Sequence, residues 1–150
     1  MPSTIPSHIY TKLELAVIGS LLVATVNSYA ASLRNASEIE QLRNFQEQVA
    51  AKASELITVV TSTDASAQAS LQLPASIGTN QYWLRARNDS SYAWIEGALG
   101  QLTEETVLNR VYLPKATSTS GYYVSGHGTA IVRAYMNGSN PQLVLSSQGG

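Results

Sequence analysis

Residues Leu15–Leu33 read LAVIGSLLVATVNSYAASL, a stretch without a single charge. A helix that spans a bilayer needs about 20 mostly apolar residues, so this segment can sit in lipid or in a dry bundle of like helices. From Arg34 to Val60 the helical spacing continues, but with one polar side. Ile39, Leu42, Phe45, Val49, Ala53, Leu56 and Val60 recur every three or four residues, with Glu38, Glu40, Arg43, Glu47, Lys52 and Glu55 between them, the pattern of a helix with one buried face. No Pro falls between Pro6 and Pro74, and the only Gly before Gly78 is Gly19. The pattern therefore predicts one long helix over 13–62, apolar over 13–33 and amphipathic over 34–62, preceded by an arm over 1–12. Thr61-Ser62-Thr63-Asp64 is its polar stop. Such a helix is about 70 Å long at 1.5 Å per residue, well beyond the hydrocarbon thickness of a bilayer. Its second half must lie against something folded.

The apolar half admits three settings. A cleaved secretory signal needs a basic leading region and a small-residue cut site; Ser28-Tyr29-Ala30 supplies the second, while Lys12 is the only basic residue before it. A buried helix of a soluble domain is the second setting. The third, a helix packed among copies of itself, accounts best for the polar content. Ala16, Ser20, Ala24, Ser28 and Ser32 recur every four residues, and small residues at that spacing let helix backbones approach closely while hydroxyls bond across the contact.

From Ala69 the period changes to two. Candidate strands are 70–73, 81–87, 92–99, 105–113, 122–125, 129–135 and 142–145, parted by turn signals such as Asn88-Asp89-Ser90-Ser91, Gly126-His127-Gly128 and Asn137-Gly138-Ser139-Asn140. About seven short strands without helical crossovers suggest an antiparallel sandwich or open barrel over 69–150. Tyr82, Leu84 and Ala86 alternate with Trp83, Arg85 and Arg87, one set expected inward and the other wet. The fold class is α+β, with the long helix packed on this β domain.

Charged residues are 13% of the chain, about half the usual share of 25%, and Ser and Thr replace them at about a fifth. A net charge of −1 offers no basic footprint for nucleic acid, and the absence of Cys removes disulfides, thiolate metal sites and cysteine nucleophiles. His8 and His127 are far apart, Ser125-Gly126-His127-Gly128 lacks an acidic orienter, and no P-loop, EF-hand loop or His-x-x-x-His spacing occurs. Glu104 and Glu105, adjacent on an expected strand, would point to opposite faces. No catalytic residue, metal site or cofactor is expected. Asn35, Asn88 and Asn137 begin Asn-x-Ser sequons and are candidate N-glycosylation acceptors.

Tyr10-Thr11-Lys12-Leu13-Glu14-Leu15, followed by AVIGSLLV, resembles the start of type IV pilins, where an aromatic-Thr-x-x-Glu-Leu run leads into an apolar helix. The whole layout, a long N-terminal helix and a Ser/Thr-rich β domain, is similar to archaeal pilins and archaellins. The resemblance implies that Glu14 neutralises a neighbouring subunit's free amino terminus, and that the chain is membrane-inserted before assembling with itself into an extracellular filament. The family's processing site is a small residue preceded by basic ones. Here Ile9 precedes Tyr10, and residues 1–9 contain no Lys or Arg. That departure keeps open an unprocessed, membrane-anchored accessory protein whose exported β domain binds a surface-layer or other envelope protein.

Overall fold

The computed structural model describes the backbone from Thr4 to Gln148 and side chains from Leu15 to Gln148. One helix, α1 (Thr4–Thr63), precedes seven strands: β1 (Ala67–Leu71), β2 (Tyr82–Asn88), β3 (Ala93–Leu99), β4 (Arg110–Tyr112), β5 (Ser118–Val124), β6 (Ala130–Asn137) and β7 (Asn140–Ser147). The fold is α+β, as the change of period from 3.6 to 2 indicates. The helix starts at Thr4 rather than Leu13, taking in most of the expected arm. Pro6 falls in its first turn, where a missing N–H breaks no intrahelical bond. Asp64 ends α1 in a left-handed conformation at φ 57°, its N–H donating to the Val60 carbonyl at 2.9 Å.

The chain divides into two compact units, Met1–Ser37 and Glu38–Gly150. In the second, Leu42, Val49, Ala50, Ala53, Leu56, Ile57 and Val60 of α1 are buried in one core with Tyr82, Leu84, Ile95, Tyr123, Val132, Leu143 and Leu145 of the strands. Ile39 is 46% exposed and does not join them, contrary to the spacing. Its neighbour Glu38 instead accepts a hydrogen bond from Asn80 Nδ2 at 3.0 Å. Gln46, which polarity argues against, is fully buried. Its Nε2 donates to the carbonyls of Ile95 at 3.1 Å and Asn109 at 3.0 Å, and its Oε1 accepts from Asn109 Nδ2 at 2.7 Å.

The strands form one open sheet in the order β1-β6-β7-β5-β2-β3-β4, not a sandwich. It is also not wholly antiparallel, because β5 and β7 run parallel in the register Ser118↔Gln142 to Gly121↔Leu145. No helical crossover is needed, since β6 itself carries the chain back before β7 returns between β5 and β6. Two glycines make this insertion fit. At Gly121 (φ 91°) β5 leaves β7 and pairs with β2 through Tyr122–Val124, and a Cβ there would stand 2.0 Å from the Leu145 carbonyl oxygen. At Gly128 (φ 95°) the β5–β6 turn passes so close to the end of β7 that a Cβ would stand 1.8 Å from the Gln148 carbonyl oxygen. Neither position admits a side chain.

The expected wet face of β2 is covered. Trp83 and Arg85 are 1% and 8% exposed, and across on β3 Trp94 and Glu96 are 6% and 0% exposed. Segment 100–109, expected to supply a strand from Glu105, is instead a loop that lies over this face, leaving only Arg110–Tyr112 as β4. Arg85 ties it down by donating to the carbonyls of Thr103 at 2.6 Å and Glu105 at 3.0 Å. Glu104 and Glu105 are both exposed on that loop.

Candidate functional site

Two surfaces compete for a functional role. The first is the apolar part of α1. Every residue from Leu15 to Ser37 is exposed, and nine large apolar side chains there, Leu15, Val17, Ile18, Leu21, Leu22, Val23, Val26, Tyr29 and Leu33, each expose 51–66% of their surface. A soluble monomer rarely shows a contiguous apolar patch above a few hundred Å². This stretch is long and apolar enough to cross a membrane by length and composition, and none of it is buried within the chain. Two of its hydroxyls are compatible with a dry setting. Ser20 Oγ donates to the Ala16 carbonyl and Thr25 Oγ1 to the Leu21 carbonyl, both at 2.9 Å, so neither needs water.

The small-residue series follows a spiral rather than a straight face. Each step of four residues turns the helix about 40° past a full revolution, so Ser28 and Ser32 rotate out of the sector shared by Ala16, Ser20 and Ala24. The concavity on this surface is lined by Gly19, Ser20, Val23, Ala24 and Asn27. Gly19 and Asn27 complete it, and nothing comes within 4 Å of where a Gly19 Cβ would stand. The sequence held the signal for this notch in a second four-residue row, Gly19-Val23-Asn27, beside the first. The side chain of Glu14 lies outside those the structure describes.

The second surface is the covered face of β2 and β3. Glu96 Oε1 meets Arg85 Nε at 2.9 Å and Arg87 Nε at 3.4 Å, and Glu96 stands opposite Arg110 in the β3–β4 register. Arg85 lies over the Trp83 ring at 4.7 Å and Arg110 over Trp94 at 4.0 Å. Glu96 Oε2 and both indole N–H groups are buried without a partner among the described residues. The cluster is covered by the 100–109 loop, and Glu96 Oε1 is shared between Arg85 and Arg87. Its Arg85–Glu96 pair and the bonds from Arg85 to the loop tie β2, β3 and segment 100–109 together.

The remaining sequence candidates are dispersed. Ser125 is 2% exposed and its Oγ accepts the Tyr82 N–H at 2.9 Å, while His127 is exposed in the following turn. The hydroxyl thus caps a backbone group and is not presented to a substrate. Among the described residues no group of three or more His, Asp or Glu can hold a metal ion. The sequon asparagines differ. Asn35 is exposed on α1 and Asn137 is exposed where β6 turns into β7, whereas Asn88 is held, its Oδ1 accepting the Thr119 N–H at 3.0 Å. Comparison with protein-family models, curated proteins and solved structures finds no match.

Proposed function

We propose that this protein is a structural subunit of an extracellular filament of the archaeal type IV pilus kind, with the apolar half of α1 as the assembly element and the sheet unit as the outer surface. The observation that supports this reading is the all-round exposure of Leu15–Leu33 on a helix whose Ser20 and Thr25 hydroxyls are satisfied internally. Moving such a helix from lipid to a bundle gains little apolar transfer energy, because lipid tails are as apolar as Leu. Cohesion then comes from packing, and the Gly19/Ser20/Ala24 notch is where a neighbouring helix approaches most closely. The subunit has a membrane partner before assembly, copies of itself afterwards, and no catalytic role. Electron microscopy of the full chain expressed in an archaeal host tests this. Helical filaments that contain the chain are expected. Protein found only as single copies in the membrane would instead favour the anchored accessory protein.

A further inference from the structure

A small polar crevice opens at one end of the sheet unit, where three turns converge: Asn88–Tyr92 from the end of β2 towards β3, residues 116–118 leading into β5, and Asn140 at the start of β7. Its volume is about 200 Å³, below the 300–1,000 Å³ of drug-sized sites and enough for one small ring. The first turn is rigid. Asp89 Oδ1 accepts the backbone N–H groups of Ser91 at 2.8 Å and Tyr92 at 2.6 Å, and Asp89 N–H donates to the Tyr92 carbonyl at 2.8 Å. These backbone donors, that of Tyr92 foremost, hold the Asp89 carboxyl below the usual carboxylate range, with Arg110 adding to the effect.

What the turns present is an array of polar groups. Asp89, Ser90, Ser91 and Asn140 all line the crevice and are exposed. Thr117, 6% exposed, also lines the crevice, and its Oγ1 is buried without a partner. Beside them stands an aromatic wall. Tyr92 and Tyr112 are 51% and 58% exposed, their rings 5.8 Å apart and edge to face, with Tyr112 seated on Trp94 at 6.3 Å.

The chemistry narrows the ligand. A polar lining is wrong for an apolar molecule. The Asp89 charge repels an anion, and one carboxylate is too few for a calcium site built from several oxygen ligands. A neutral, polyhydroxylated ring fits each part: its hydroxyls donate to Asp89 in charge-assisted bonds and exchange bonds with Ser91 and Asn140, while its C–H face meets the electron-rich face of Tyr92. We propose that this crevice binds a neutral saccharide, one pyranose among Asp89, Ser91 and Asn140 and a second against the Tyr92–Tyr112 wall. The crevice belongs wholly to the sheet unit, so this binding stands or fails apart from filament assembly.

The test uses the full chain, made in a bacterial host that adds no glycans and held in phospholipid nanodiscs free of sugar detergents. Saturation-transfer NMR is run with methyl α-mannopyranoside, methyl β-galactopyranoside and the disaccharide of N-acetylglucosamine. Binding of at least one probe is expected, with a Kd on the order of millimolar for a ligand of this size, unchanged by EDTA. Asp89→Asn keeps an oxygen to accept the two turn N–H groups, and Asn140→Ala removes an exposed side chain. Each should weaken binding at least tenfold, with the Trp94 indole resonance unmoved as the check on folding. Tyr112→Leu should weaken the disaccharide more than either monosaccharide. No transfer to any probe, transfer indifferent to both polar variants, or transfer abolished by EDTA would each overturn the assignment.

Discussion

Gln46 shows how a single polar side chain can be committed to the interior of a core. It occupies a position that helical spacing from Leu42 and Val49 marks as inward, and each of its polar atoms is bonded to Ile95 or Asn109. Gln46→Leu should destabilise the sheet unit by about 2–3 kcal/mol, since it strands two carbonyls and an amide at the price of no new contact; urea unfolding checks this. Asp64 carries two adverse features, a left-handed φ of 57° and a negative charge at the end of a helix with no basic residue in its last turn. Asp64→Gly removes both and should stabilise by about 1 kcal/mol. Tyr82 bears on alkaline stability. Burial first, and then Tyr123 beside it, pushes its phenol far above the ordinary 10.0, and Tyr123 is raised as well, again by burial. The neutral forms are therefore favoured in the folded state. Stability should be level with respect to these groups below pH 10 and fall above it, as the unfolded chain ionises while the folded one resists. Tyr82→Phe should flatten that decline in a pH series of thermal melts.

At the scale of elements, α1 is where assembly can be tested by substitution. Ala24→Leu and Ser20→Leu fill the notch while making the segment more apolar, so membrane insertion should persist while filaments are lost or fragmented. Normal filaments from both variants would remove the notch from the contact. The helix and all seven strands have counterparts in the sequence, because periods of 3.6 and 2 are local properties. What stayed hidden is long-range. The parallel pairing of β5 with β7 depends on which strand enters a gap, and only Gly121 and Gly128, with no room for a Cβ, mark where that happens. The cover over Trp83 and Arg85 was equally hidden, since alternation along β2 looks the same whether the outer face meets water or the 100–109 loop. One part could have been read: Asn88↔Ala93 pairing around the Asp89–Tyr92 turn brings Arg85 opposite Glu96. The saccharide crevice had no linear signature, its parts coming from three separate turns.

At the scale of the molecule, the boundary between Ser37 and Glu38 makes a direct separation test. Among the described residues the buried core draws on none before Leu42, so residues 34–150 should form a soluble, β-rich monomer by circular dichroism and gel filtration. Unfolding of that fragment would place the apolar segment among the determinants of the fold and return it to the interior of a soluble protein. The sheet's order has a further consequence, one of time. β7 is the last strand in chain order yet stands between β6 and β5, and it alone joins β1-β6 to the remainder. A ribosome delivers α1 before β7, so the sheet stays in two parts until Asn140–Ser147 has been made. By then the apolar stretch Leu15–Leu33 has already been made, while the sheet unit is still incomplete. Chains stalled before Asn140 should be cut readily by protease, and chains released after Ser147 should resist. In this fold the strand order acts as a clock, since the two parts of the sheet join only after the last strand has arrived.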